Sequence, residues 1–271
     1  MADPAALSDV ERTTFEHGGT TRDVYRAGDG PAVVVMAEMP GITPSVLAFA
    51  RRVRELGCTV WLPDLFGEAG AAPSPVTFAR AIVPMCVAKD FAAFAMGRTA
   101  PVIDWLRALG AHAHAECGGP GIGAVGMCFT GGFALGMMVD EHLLAPVLSQ
   151  PSLPIALPGR GRAKADLHLS PEDLGCVRRR AAEDGIDVLG LRFTHDRLSP
   201  PERFAALRDA LGDRFIGVEI DSSKGNPHGI RGAAHSVLTE DLVDEPGHPT
   251  HDALGRVLEL FRTRLVEPAA T

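Results

Sequence analysis

Short, nearly continuous apolar runs alternate along the chain with stretches whose apolar residues recur at helical spacing. Residues 31–38 and 57–62 form two such runs with few polar side chains. This pattern is typical of strands that are covered on both faces in a parallel sheet. Between them, residues 45–56 place Val46, Phe49 and Val53 on one helical face and charged residues on the other. The order predicts a strand–helix–strand unit.

The same alternation continues to the end of the chain. Further strands are predicted at residues 21–26, 122–128, 143–148, 188–194 and 215–221, and helices at residues 76–95, 99–114, 129–139, 171–183, 200–211 and 251–265. We expect Pro84 to divide the 76–95 stretch into two short helices, because proline interrupts helical hydrogen bonding. The pattern predicts an α/β protein with one mostly parallel, doubly wound sheet of about seven or eight strands and helices on both faces. Residues 1–271 are expected to form a single domain.

The charge balance bears on the kind of partner. Lysine and arginine total 26, aspartate and glutamate total 34, and the formal net charge is −8. Proteins that bind nucleic acids or anionic membranes usually carry a concentrated basic face, so we expect neither partner and instead a small molecule. No apolar run approaches the roughly 18 residues of a membrane span, and the first residues lack the pattern of a signal peptide. We therefore expect a cytoplasmic protein.

The cysteines are spread along the chain rather than clustered. There are five, and none forms a Cys-x-x-Cys pair. This spacing favours reduced thiols over a disulfide framework or a structural zinc site.

The most informative motif surrounds Cys128. The sequence GMCFTGG, residues 126–132, joins a predicted strand to a predicted helix, so Cys128 lies at a sharp turn. Gly126 and Gly131 leave room for close packing, and a helix N-terminus favours a thiolate and supplies a backbone N–H for an oxyanion. The motif predicts a nucleophile elbow with sulfur in place of oxygen. The alternative is a buried structural cysteine in an ordinary turn.

A nucleophilic cysteine needs a histidine and a third group that orients the histidine. In doubly wound hydrolases the acid and then the histidine follow the nucleophile, each just after a strand. Asp196 follows the predicted strand at 188–194, and His228 and His235 lie in the loop after the strand at 215–221. Taken separately, Asp196 is better explained as a helix cap or turn residue, and each histidine as a solvated loop residue. Together they predict a Cys-His-Asp triad.

Several segments resemble the dienelactone hydrolase family of α/β-hydrolases. They are Glu38 at the end of VVVMAE, WLPDLFG at residues 61–67, GMCFTGG at residues 126–132, Asp196 in THDRLSP and His235 in AAHSVL. The resemblance extends from about residue 24 to residue 265 and implies an α/β-hydrolase fold. Segments near residues 68–98 and 149–170 are expected to act as a lid or cap.

The resemblance also implies roles for the triad. Cys128 would be the nucleophile, His235 the general base and Asp196 the carboxylate that orients the base. His235 is favoured over His228 because only His235 lies in a family-like Gly/Ala-x-His-Ser context.

Two further features of the site are implied by the same resemblance. Glu38 is similar to a family carboxylate that contacts the resting thiol and is displaced when substrate arrives. The backbone N–H groups of Met39 and Phe129 would form the oxyanion hole.

The function implied is the hydrolysis of small esters or lactones through a thioester on Cys128, without a cofactor or metal, as in carboxymethylenebutenolidases. Family members that act on dienelactone hold its carboxylate with arginines, one of them four residues after the histidine. That position is Thr239 here. Other basic residues that could substitute are Arg80, Lys89, Arg98 and Arg231. An acyltransferase that uses the same thioester and a noncatalytic relative that binds a small molecule are the alternatives.

Some motifs suggest other chemistry but lack its context. Gly121, Gly123 and Gly126 spell G-x-G-x-x-G, yet a dinucleotide fingerprint follows its strand and this one contains it. His112, His114 and Cys117 have no fourth metal ligand at a useful spacing. His248 and His251 are expected to be cap and loop residues, and Cys86, in the predicted lid, is expected to be buried.

Overall fold

The computed structural model describes residues 4–87, 99–152 and 164–267. These residues include one eight-stranded sheet. Its strands are β1 (Glu11–His17), β2 (Thr20–Ala27), β3 (Ala32–Met36), β4 (Thr59–Pro63), β5 (Ile122–Met127), β6 (Leu143–Ser149), β7 (Val188–Phe193) and β8 (Phe215–Ile220). The order in the sheet is β1-β2-β4-β3-β5-β6-β7-β8. β1 and β2 pair antiparallel, β2 pairs antiparallel with β4, and the remaining pairs are parallel.

The parallel strands are apolar because helices cover both faces of the sheet. β3, β4, β5 and β7 are buried at every position. The helices within the described ranges are α1 (Pro44–Glu55), α2 (Pro75–Val87), α3 (Pro101–Cys117), α4 (Phe133–Met137), α5 (Pro171–Glu183), α6 (Pro201–Leu211) and α7 (Pro249–Phe261). α1 and α7 pack on one face and α2 to α6 on the other. The predicted α/β class is thereby confirmed.

Prolines and polar caps mark where several helices begin. Six helices start with proline at the first helical position: α1, α2, α3, α5, α6 and α7. At that position the missing N–H has no intrahelical partner to lose. The hydroxyls of Thr43 and Ser170 cap α1 and α5 by accepting hydrogen bonds from Val46 N at 3.3 Å and Asp173 N at 3.1 Å. These local signals hold the loops that precede the helices in fixed positions.

The structure differs from the sequence prediction at three elements. β1 was not predicted, because its side chains are mostly exposed and polar and give no apolar pattern. α2 continues through Pro84 to Val87, so the predicted break at that residue is wrong; a proline removes one helical hydrogen bond without necessarily ending the helix. The predicted helix at 129–139 is reduced to a 3₁₀ turn at Cys128–Thr130 and the short α4.

The predicted lids are only partly covered by the described ranges. Residues 88–98 and 153–163 lie outside them, as does the second helix expected after Pro84. In the part of the chain that is described, no helix combines the length and the apolar character needed to cross a bilayer.

Candidate active site

The carboxyl ends of five adjacent strands bring the candidate residues together. β3, β5, β6, β7 and β8 are neighbours in the sheet and run parallel. The chain leaves β3 at Glu38, β5 at Cys128 and β7 at Asp196, and the loop after β8 carries His235. Ligands in open α/β sheets bind at this edge. The sheet order therefore places all four predicted residues at one site.

Cys128 lies in a strained turn directly after β5. Its φ of 54° falls in the left-handed region, which costs a non-glycine residue of order 1–3 kcal/mol and is common at functional sites. The two neighbouring glycines are required by close packing. A Cβ on Gly126 would lie 2.1 Å from the carbonyl oxygen of Thr130, and one on Gly131 would lie 2.5 Å from Cα of Pro151. The turn therefore has the geometry expected of a nucleophile elbow.

The side chain of Thr130, two residues after Cys128, takes part in the turn. The residue is fully buried. Its hydroxyl accepts a hydrogen bond from Met127 N at 2.9 Å and donates to the carbonyl of Met36 at 2.8 Å. The hydroxyl thus ties the elbow to the end of β3.

Asp196 and His235 form the predicted contact. Nδ1 of His235 lies 2.6 Å from Oδ2 of Asp196, and the two side chains are 18% and 3% exposed. The other carboxylate oxygen, Oδ1, accepts a hydrogen bond from Leu198 N at 2.8 Å. Both oxygens of Asp196 are therefore engaged, so the carboxylate has one orientation toward the imidazole.

The imidazole of His235 interacts with Cys128 as well as with Asp196. Burial of the ring lowers its pKa, but a hydrogen bond to Asp196, a hydrogen bond to Cys128 and the charges of both outweigh burial and raise the pKa of His235 to about 10. The electrostatics of the site therefore favour the imidazolium form. The alternative base, His228, is exposed and faces His248 at a ring distance of 5.4 Å.

The loop that carries His235 is held by Asp241, which the sequence analysis did not identify. Oδ2 of Asp241 accepts hydrogen bonds from the backbone N–H groups of His235 at 2.8 Å and Ser236 at 3.0 Å. Oδ1 lies 2.9 Å from Nε of Arg231. Asp241 thus fixes the backbone at the histidine.

Glu38 is buried in a polar network. It accepts hydrogen bonds from the hydroxyls of Ser236, at 2.6 Å, and Thr239, and from Nε2 of Gln150 at 3.2 Å. Burial raises the pKa of the carboxyl, while the bonds from Ser236 and Thr239 and the charge of His235 oppose that rise. The expected contact with the thiol of Cys128 is not among the described hydrogen bonds of Glu38, and it stays a prediction.

Thr239 lies where family members that act on dienelactone carry an arginine, but its side chain contacts Glu38. Its hydroxyl donates to Glu38 and its side chain is buried. Arg231, another candidate carboxylate ligand, is paired with Asp241 at 2.8 Å, and Arg80 lies 3.8 Å from Glu68 at the surface. Lys89 and Arg98 lie outside the described residues.

Gln150 and Ser152 complete the site at the end of β6, and sequence reasoning missed both. Gln150 is fully buried, with a φ of 34°. Its Oε1 accepts a hydrogen bond from Val237 N at 3.3 Å while its amide donates to Glu38. The backbone N–H of Ser152 donates to the carbonyl of Cys128 at 2.8 Å. Their position directly after a parallel strand was the available signal.

The expected oxyanion donors lie beside the elbow. Phe129 follows Cys128 in the 3₁₀ turn. Met39 follows Glu38 and is joined to Pro40 by a cis peptide bond. Among the described residues, the N–H of Met39 has no hydrogen-bond partner.

The other motifs are explained by packing. Gly121, Gly123 and Gly126 each lie against backbone or side chains that a Cβ would strike. His112 stacks on Phe15 at 5.1 Å. No group of three or more His, Cys, Asp or Glu residues within the described ranges could hold a metal ion. His248 caps α7 as expected, and the side chain of Cys86 lies outside the description.

Comparisons with known proteins place the chain in a wider context. The model of the dienelactone hydrolase family matches residues 22–154. No curated protein matches the chain. A dienelactone hydrolase from Anabaena variabilis superposes with a TM-score of 0.59 at 16% identity, covering 95% of this chain and 99% of that one.

Two further solved structures share the fold. A dienelactone hydrolase-like promiscuous phosphotriesterase from metagenomic libraries has a TM-score of 0.59 at 18% identity, covering 94% of this chain and 98% of its own. An α/β serine hydrolase without a lid, from Xanthomonas campestris, has a TM-score of 0.55 at 15% identity, with both chains covered completely. The similarities establish an α/β-hydrolase-type fold.

Proposed function

We propose that the chain, whose residues 22–154 match the model of the dienelactone hydrolase family, is a member of that family and a cofactor-free hydrolase of small esters or lactones. The observation that carries the proposal is the strained Cys128, with its φ of 54°, next to the His235–Asp196 pair. Nucleophilic catalysis requires a nucleophile and a base that a third group orients, and backbone strain is common at such sites.

In the first half of the reaction, the thiolate of Cys128 attacks the carbonyl carbon of the substrate. The N–H groups of Met39 and Phe129 stabilise the resulting oxyanion. When the tetrahedral intermediate collapses, the carbon–oxygen bond of the ester breaks and Nε2 of His235 gives its proton to the leaving oxygen. An ester releases an alcohol at this step, whereas the hydroxyl of an opened lactone stays attached to the acyl group.

In the second half, water cleaves the thioester. His235, now neutral, takes a proton from water as the water oxygen bonds to the acyl carbon. The carbon–sulfur bond then breaks, and the carboxylic acid is released while Cys128 returns as a thiolate beside a protonated His235. Asp196 holds the imidazole orientation through both halves.

The preferred substrate lacks a carboxylate at the place where dienelactone has one. Thr239 is neutral and is engaged by Glu38, and Arg231 is engaged by Asp241. Neither of these two residues is therefore free to bind a carboxylate. We propose neutral acyl groups as substrates, handled by a protein that works in the cytoplasm.

Glu38 is our candidate for controlling the thiol. In the described arrangement its oxygens are held by Ser236, Thr239 and Gln150. Contact with Cys128 would require the carboxylate to leave this network, so Glu38 would have two positions, one at the thiol and one in the network.

The test is a panel of neutral and carboxylated esters and lactones assayed with the wild type, Cys128→Ala and Cys176→Ala. Cys176 is a half-buried thiol on α5 that contacts Arg179 outside the site. We expect Cys128→Ala to lose turnover by at least about 10³-fold, because a covalent nucleophile has no substitute, and Cys176→Ala to retain it. Activity that survives in folded Cys128→Ala would show that the reaction belongs to another site.

A further inference from the structure

The strand β8 forms one edge of the sheet. In the part of the chain that the structure describes, it pairs with β7 in continuous register and with no strand on its outer side. The carbonyl of Ile220 accepts a hydrogen bond from Thr194 N at 2.9 Å, so the backbone groups of Ile220 turn toward β7. Because the N–H and C=O groups of successive residues point to opposite sides of a strand, those of Gly217 and Glu219 face outward.

The two edges of the sheet differ in how they are protected against pairing with another chain. Edge strands usually carry lysine, proline, a bulge or several charged residues that discourage such pairing. β1, at the opposite edge, carries charged side chains that include Glu11 and Arg12. β8 has the sequence FIGVEI, and its one charged residue, Glu219, is bound by Arg192 at 2.5 Å and Arg208 at 2.6 Å. β8 therefore lacks this protection.

The surface beside β8 is partly apolar and open. Ile216 on β8 is 40% exposed. It lines a groove of about 600 Å³ between β8 and α7, together with Leu260 and Gly255. A Cβ on Gly255 would meet no atom within 4 Å, so side chains of this chain do not fill the groove. Arg256 and Glu259 also line it, and a surface with both signs of charge can face a copy of itself.

These observations favour a second copy of the same chain as the occupant of the edge. Around a two-fold axis perpendicular to the sheet, two copies of β8 run antiparallel, and residues opposite each other share a face. With Val218 on the axis, Ile216 of one copy faces Ile220 of the other, and Gly217 faces Glu219. We propose that the protein forms a dimer through β8 in this register, with one continuous sheet across both copies.

The backbone and the charges of β8 select this register. Gly217 and Glu219 both turn outward, so when opposite each other they exchange two hydrogen bonds. A Cβ on Gly217 would lie 3.0 Å from Nη2 of Arg208, so the carboxylate of Glu219 from the second copy comes to lie beside a guanidinium. With Glu219 on the axis, two carboxylates would face each other, which is unfavourable. With Gly217 on the axis, Glu219 would face the apolar ring of Phe215.

The first experiment measures the mass of the protein in solution by size-exclusion chromatography with light scattering, at several protein concentrations. We expect the wild type to have twice the 28.6 kDa of one chain. Ile216→Lys should be monomeric, because lysine on an edge strand opposes pairing. Val243→Lys is the matched control, since Val243 is also 40% exposed but lies outside β8 and the groove; it should stay dimeric. Thermal melts verify that both variants are folded.

The second experiment tests the register by cross-linking. The backbone groups of Val218 face β7, so Val218 and its copy form a non-hydrogen-bonded pair with Cα atoms about 4.5 Å apart. A disulfide spans about 4.4–6.8 Å between Cα atoms. Val218→Cys should therefore form a disulfide-linked dimer under mild oxidation. Ile216→Cys should not, because its copy lies roughly 13 Å away along the strands, and the wild type controls for the native cysteines.

Three results would overturn the proposal. A wild type that is monomeric at every concentration would leave the edge open to a different protein. A dimer that persists in folded Ile216→Lys would place the interface on another surface. Equal cross-linking of Val218→Cys and Ile216→Cys would exclude the register. None of these measurements uses a substrate, so the proposed hydrolase activity is tested separately, through Cys128→Ala.

Discussion

Two residues of this site have an unusual backbone conformation. Cys128 and Gln150 adopt left-handed backbone conformations although neither is glycine. Each follows a buried parallel strand, and each is held by neighbours that leave little freedom. Residues kept in such conformations cluster where a side chain must be aimed at a ligand or a reacting atom. Cys128 and Gln150 lie at the same edge of the sheet, at the ends of the neighbouring strands β5 and β6. Their strained backbones therefore support a functional site at the place where the polar contacts also lie.

At the same scale, we expect Asp196→Asn to lower kcat by about 10²–10⁴-fold while the protein stays folded. An amide in place of the carboxylate allows the imidazole to adopt the wrong tautomer, as in serine triads. The Asp196 carboxylate also accepts from Leu198 N, a contact that Asn retains through its oxygen. Steady-state kinetics and a thermal melt would be compared with those of Asp209→Asn, an exposed carboxylate on α6. A loss below about threefold would place the orienting acid elsewhere.

The residues of the proposed triad could be selected from the sequence, but the residues that contact them could not. Cys128, Asp196 and His235 each follow a predicted strand, in the order nucleophile, acid, histidine that doubly wound hydrolases use. This order is what distinguished them from other cysteine, aspartate and histidine residues. Gln150 and Ser152 lie in a proline-containing connection where nothing in the residue types distinguishes a buried side chain from a solvated one. Asp241 was missed for a related reason, because its partners are backbone N–H groups that leave no trace in the sequence.

Among the elements, those with buried faces were predictable and those stabilised by pairing were not. β3, β4, β5 and β7 are buried throughout and stand out as apolar runs. β1 depends on antiparallel pairing with β2 over its whole length, while its side chains are mostly exposed. α2 shows a different limit, because the helix continues through Pro84 although the local preference of proline opposes it.

The loop between β8 and α7 is the element on which the histidine depends. We expect Asp241→Ala to lower kcat at least tenfold with little change in KM, because the two N–H groups that orient His235 lose their shared acceptor. Asp244→Ala is the matched control, since Asp244 bonds to side chains of Arg52 and His251 and not to the histidine loop backbone. Equal activity of the two variants would show that the loop holds its shape without Asp241.

For the molecule as a whole, the half-buried carboxyl of Asp64, directly after β4, makes stability depend on pH. Burial, together with the charge of Asp23, raises the pKa of Asp64 to about 6, although Arg12 and Arg22 oppose the rise. The folded protein thus binds this proton more tightly than the unfolded chain, whose carboxyl has a pKa near 3.8. The contribution to stability is complete below pH 3.8 and is lost as the pH rises through 6.

Removing this charge should therefore stabilise the protein near neutrality. We expect Asp64→Asn to raise the free energy of unfolding by about 1–3 kcal/mol at pH 7 and to leave it nearly unchanged at pH 4. Urea unfolding at the two pH values would measure the difference, with Asp29→Asn, at an exposed turn, as the control. A gain of the same size at both pH values would mean that the effect does not come from ionisation.

The order of the strands also has a consequence for the growing chain. The thiol at position 128 is synthesised well before the histidine at 235, and the two become neighbours only after β6, β7 and β8 have been added beside β5. The hydrogen bond between Ser236 and Glu38 joins residues 198 positions apart, and contacts of such separation carry a high loop-closure entropy and form slowly. Until the last strand is in place, the thiol has no imidazole beside it. If Cys128 and His235 act as proposed, the cysteine can become nucleophilic only when the fold is complete.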